Sequence, residues 1–85
     1  MHVQITQGET PNEHSLTIDD LILHFSYETV IGFSTDSERA VCENVWSQTT
    51  SKHLNRLDGG TPTAKGRRLK REAFDARLAA VMGAR

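Results

Sequence analysis

The 85-residue sequence predicts an α+β fold: an antiparallel β-meander of three to five strands, followed by a short helix and a longer C-terminal helix. Two observations carry this. Apolar and polar residues alternate through the first half, the period of a half-buried strand, and the links between runs are too short for any but antiparallel neighbours. Near residue 67 the apolar spacing changes to three and four, the period of a helix. The length allows one domain.

Residues 1–20 read as an extended lead-in or short strands. Val3 and Ile5, then Leu16 and Ile18, alternate on either side of the turn-forming run Gly8-Glu9-Thr10-Pro11-Asn12-Glu13. Residues 21–58 hold the meander and the short helix. Leu21, Leu23 and Phe25 share one face of a strand. Tyr27-Glu28 links it to a second strand over 29–35, where Ile31, Phe33 and Thr35 face one way and Val30, Gly32 and Ser34 the other. Gly32 marks a bulge or a close backbone approach. A third strand over 40–46 puts Cys42, Asn44 and Trp46 on one face.

Thr49 or Thr50 is expected to cap a helix over about 51–57. Leu54 and Leu57 would then cover Trp46, which closes the core between sheet and helix, and Lys52 and His53 would point outward. Residues 59–66 read as a loop. The C-terminal basic, amphipathic helix is expected over 67–82. Phe74, Leu78, Val81 and Met82 form its apolar stripe, and Leu69, Ala73, Ala76 and Ala80 lie nearly opposite. That small-residue face could receive a second copy, giving a homodimer through the C-terminal helix.

Composition narrows the function classes. The chain is 36% hydrophobic and 25% charged, which fits a folded protein. Cys42 is the only cysteine, so no intramolecular disulfide is possible and a reducing host-cell cytoplasm is expected. The N-terminus lacks the basic-then-apolar order of a signal peptide, and no apolar run approaches the roughly 20 residues that span a bilayer, so no membrane role is expected. The net charge of −1 conceals a division. Residues 64–85 carry seven cations against two carboxylates, net +5, whereas residues 1–63 carry three against nine, net −6.

The basic side of that division is concentrated in Lys65-Gly66-Arg67-Arg68-Leu69-Lys70-Arg71. Cations are disfavoured at a helix start, so their placement there points to an acidic partner: nucleic acid, the acidic body itself, or another protein. Lys65, Arg67, Arg68, Lys70 and Arg71 are the candidate nucleic-acid contacts, meeting phosphates without choosing a sequence. Base-stacking aromatics are not interleaved among them. A second candidate is Ser47, Thr49, Thr50, Lys52 and His53, whose hydroxyls and cation beside a helix start could hold a phosphate, a carboxylate or a partner. Equally, Trp46 is core there and the threonines are caps.

No catalytic constellation is readable. Cys42 and His53 could be nucleophile and base, but no orienting group is evident and a buried cysteine is the commoner case. Asp19-Asp20 fits a solvated turn. His2, His14, His24 and His53 lack zinc spacing, so no metal or other cofactor is expected.

Phe25-Ser26-Tyr27, Val30-Ile31-Gly32-Phe33 and the run Glu43-Asn44-Val45-Trp46-Ser47-Gln48-Thr49-Thr50-Ser51-Lys52-His53-Leu54-Asn55 together resemble a family of small uncharacterised phage and mobile-element proteins. Their shared pattern is F-S-Y, V-A-F, E-N-x-W-S-x-T-T-x-K-H-L-N; Gly32 stands where alanine is frequent. The resemblance covers roughly residues 21–57 and leaves the basic tail outside. It implies a virus-like origin and transfers no catalytic residue. The expectation is a small non-enzymatic accessory protein that binds nucleic acid through its basic C-terminal segment. The alternative is a protein-binding inhibitor of a host enzyme or defence system, using an acidic sheet surface.

Overall fold

Five strands follow one another as a meander: β1 (Val3–Gln7), β2 (Glu13–Ile18), β3 (Leu21–Ser26), β4 (Thr29–Ser34) and β5 (Arg39–Val41). The computed structural model describes residues 3–8, 12–46 and 48–83. Each strand pairs antiparallel with the next, in chain order across one sheet. Asp19-Asp20 and Tyr27-Glu28 make the tight β2–β3 and β3–β4 turns, and their first residues take left-handed backbone, φ 54° and 56°. Aspartate tolerates that conformation; tyrosine adopts it rarely.

The strands sort their side chains between two helical layers. Leu21, Leu23, Phe33, Ala40 and Cys42 form a buried cluster with Phe74 of α3 (Arg71–Gly83). Phe33 and Phe74 rings lie 5.7 Å apart, tilted by 45°. The other face carries Ser26 and Gly32 and meets α1 (Gln48–Asp58), whose Thr50, His53 and Leu54 are buried. A bulge joins the two patterns. The register shifts between His24 and Phe25, so His24 pairs with Gly32 and Phe25 with Val30, leaving Ile31 as the extra residue. The expected grouping of Ile31 with Phe33 therefore fails: Val30 packs on the Phe33 cluster, while Ile31 lines a hollow with His53 and Leu57. Gly32 permits α1 to approach. A Cβ there would lie 3.0 Å from Leu57 Cδ1 and 3.3 Å from the Ala40 carbonyl oxygen.

Four expected boundaries move, each for a local reason. The third long strand shortens to β5, because Asn44 Oδ1 accepts the Trp46 N–H and turns the chain. α1 begins at Gln48, so Thr49 and Thr50 are helical residues rather than caps. The expected loop over 59–66 contains α2 (Pro62–Gly66), where Thr61 Oγ1 accepts the Ala64 N–H and Pro62 occupies the first turn. Finally α3 starts at Arg71, because Arg67 turns the chain out of α2 and Leu69 is held as a bridge: it donates its N–H to the Val41 carbonyl and accepts the Glu43 N–H, sealing part of the β5 edge.

Trp46 is also elsewhere than expected. It is half-buried against the α3-side core, with the Arg71 guanidinium 5.0 Å above its ring, not between the sheet and α1. Leu69 packs on the same core rather than on an opposite helix face, and Met82 is exposed.

Candidate functional site

The two halves of the sequence pattern meet in space. Ser26, at the end of β3, lies 2.6 Å by Oγ from His53 Nδ1 and 3.1 Å from Thr50 Oγ1, both on α1. His53 Nε2 is 3.9 Å from Glu13 Oε1, and Arg56 Nη1 donates to Glu13 Oε2 at 2.5 Å. Ser26, Thr50, His53 and Glu13 are all buried, which is affordable only because each has partners. The Tyr27 ring lies 6.1 Å from the His53 ring at the rim. Serine, histidine and glutamate in a row resemble a hydrolytic triad, but Ser26 is 2% exposed and shares its hydroxyl with Thr50. A nucleophile must reach its substrate; this arrangement instead ties α1 to the sheet. The expectation that His53 points outward is thus corrected: it is 3% exposed.

A second hollow, of about 320 Å³, opens at the β5 edge between α2, the 67–70 segment and α3. Its wall carries Arg39, Arg67, Arg68 and Arg77 against one carboxylate, Asp58, and its apolar part is Ala40, Val41, Ala64 and Leu69. Arg68 is a fixture: Nε donates to Asp58 Oδ2 at 2.7 Å, and Nη2 donates to Asp58 Oδ1 at 2.9 Å and Asn55 Oδ1 at 3.1 Å. Its side chain is only 6% exposed. The bonded Arg68 guanidinium holds the Asp58 carboxyl below its ordinary value, against the opposing effect of burial. Arg39 donates to the Leu57 carbonyl, and Arg77 reaches Glu38 at 3.5 Å. Arg67, which closes α2, is exposed.

The other candidates disperse. Lys65 and Lys70 are exposed around the hollow's basic segment, while Arg71 is held by Trp46 and by Asp75, 3.3 Å away. Thr49 and Lys52 are exposed on α1, Thr50 and His53 are buried in the network, and Ser47 lies outside the described residues. Cys42 and His53 belong to opposite layers. Burial pushes the Cys42 thiol up to about 11, which makes it a packing group. Ser26, Glu13 and Arg56 were not foreseen as a unit, although F-S-Y already contained the serine. Arg39 and Arg77 carried no local signal, because only folding brings them to Arg67. Carboxylates are sparse on the sheet itself. Within the described strands Glu13 is the one acid, and Arg56 holds it; the other described acids lie in turns, links and helices.

Among the described residues no cluster of histidine, cysteine and carboxylates is arranged to hold a metal, and no helix is long and apolar enough to cross a membrane. No curated protein and no solved structure matches the chain. The model of a family of unknown function, DUF8033, matches residues 3–76, beyond both ends of the sequence pattern and through the basic segment. With all five strands, α1, α2 and the first turns of α3 inside that match, the chain belongs to the DUF8033 family.

Proposed function

We propose that this domain is a non-enzymatic nucleic-acid-binding accessory protein of a phage or related mobile element, working in the host cytoplasm. The observation that carries the reading is the β5-edge hollow, where Arg39, Arg67 and Arg77 share the wall with an Arg68 already paired to Asp58. Like charges gathered round a shared space repel until an anion enters, and planar guanidiniums suit phosphate oxygens. Arg67 and Lys65 are the leading contacts, with Lys70 and Arg71 extending the basic surface. Arg68 shapes the site from behind. The F-S-Y and W-S-x-T-T-x-K-H-L blocks supply the mobile-element part of the reading. They also account for the scaffold, since Ser26, Thr50 and His53 meet within it.

The rival inhibitor reading needs an acidic sheet face, and the described strands offer only Glu13, which is buried. Fluorescence anisotropy with labelled single- and double-stranded oligonucleotides tests the choice. Affinity should fall steeply with salt, with a log–log slope of about 0.9 per duplex phosphate contact. Lys65→Ala/Arg67→Ala should flatten that slope. Salt-independent binding, or none at low salt, would remove the reading. Capture of a host protein that survives nuclease treatment would then favour the inhibitor.

A further inference from the structure

We infer that the arginine hollow is a pocket for a single nucleoside monophosphate unit, free or at the end of a strand, rather than a track for a continuous backbone. This rests on the nucleic-acid reading and narrows it. Three features of the hollow carry it.

The first is size. At about 320 Å³ the hollow lies at the small end of small-molecule sites, which run from roughly 300 Å³ upward. It fits one nucleotide and not a duplex. The second is its enclosure along the chain. Leu69 is hydrogen-bonded to both Val41 and Glu43, so the chain between α2 and α3 covers the sheet edge at that point instead of leaving an open channel there. The third is the division of its wall. Ala40, Val41, Ala64 and Leu69 give an apolar surface on which a base or sugar can lie, while the guanidiniums supply the anion contacts. A site built only for backbone phosphates has no use for that apolar part.

Within the hollow the cations have unequal freedom. Asp58 and Asn55 hold the Arg68 fork, so it contributes a fixed charge and a rigid wall. Arg39 is tethered at one nitrogen by the Leu57 carbonyl, and Arg77 leans towards Glu38. Arg67 is exposed at the mouth, immediately after α2. The phosphate therefore belongs between Arg67 and Arg77, with Arg39 behind it, and the nucleoside lies against the Ala64–Leu69 side.

The test is calorimetric titration of the full chain with adenosine monophosphate, adenosine and inorganic phosphate, followed by anisotropy with single strands that carry or lack a 5′-phosphate. Adenosine monophosphate should bind at least about tenfold more tightly than either fragment, since charge-assisted hydrogen bonds and apolar contact act together. Arg67→Ala should weaken it by about tenfold, with the far-ultraviolet circular dichroism and Tm unchanged. If the 5′-phosphate strengthens strand binding by a similar factor, strand ends are a source of the unit; if not, the free nucleotide is. Inorganic phosphate binding as well as the nucleotide would overturn the inference, as would an Arg67→Ala variant that is folded and unaffected. Salt-sensitive strand binding without nucleotide binding would sink the pocket alone. Failure of both strand and nucleotide to bind would sink the underlying reading with it.

Discussion

Asp58 and Arg68 show how one residue pair can consume a charge that looks available for binding. Arg68 belongs to the densest basic stretch of the chain, yet its guanidinium is buried and held by Asp58 and Asn55. Removing one member of such a pair strands the other charge. Asp58→Ala should therefore cost about 3–5 kcal/mol, read from urea denaturation. The double variant Asp58→Ala/Arg68→Met should recover most of the loss, since it leaves no orphaned ion. A single-variant loss below about 1 kcal/mol would mean that the pair behaves as an exposed one.

At the scale of elements, two short features position the rest. α2 is five residues long and has no buried side chain, so its cap matters more than its packing. Thr61→Ala should cost about 1 kcal/mol and should also weaken anion binding, because α2 carries Ala64 to the hollow and is closed by Arg67. An unchanged melting curve would show that the proline and the flanking chain hold α2 unaided. The second feature is the approach of α1 to β4 at Gly32. Its nearest side-chain neighbour is the flexible end of Leu57, so Gly32→Ala should change stability by less than about 1 kcal/mol, and Gly32→Val should cost about 1–3 kcal/mol by overpacking. Thermal melts of the two variants measure the difference. Equal behaviour would show that α1 shifts freely on the sheet.

For the molecule as a whole, the acidic body and basic tail meet instead of standing apart. Arg68 pairs with Asp58, and Arg77 approaches Glu38. The charge division is thus partly internal, and it makes stability depend on pH in two windows. Burial first, and then the Arg39 charge, lower the His24 pKa from 6.5, so the unfolded chain takes up that proton first and stability starts to fall below 6.5. The Asp58 carboxyl lies below its ordinary 3.8 because Arg68 is bonded to it; its contribution is complete above that value and is lost as the pH falls through the lowered one. Urea midpoints measured from about pH 7 downward through both windows should show a shallow decline and then a steep one. The steep part should flatten in Asp58→Ala/Arg68→Met. A flat profile in the wild-type protein would contradict both assignments.

The antiparallel order of the three strands after residue 20 followed from the sequence alone, because alternation and short links depend only on near neighbours; residues 1–20 read equally as an extended lead-in, and pairing made them β1 and β2. Leu21, Leu23 and Phe25 declared their face, and Tyr27-Glu28 declared the turn. α2 was equally local: Thr61-Pro62 is a cap followed by a first-turn proline, a signal overshadowed by the glycines around it. Other features needed the folded chain. The bulge that separates Ile31 from Phe33 is set by pairing across strands. The late start of α3 depends on Leu69 bonding to Val41 and Glu43. Ser26 finds His53, and Arg39 finds Arg67 and Arg77, only when the sheet brings distant segments together. Periodicity records which face of an element is apolar; which charges share a hollow is decided by tertiary contact, for which a linear sequence carries no local rule.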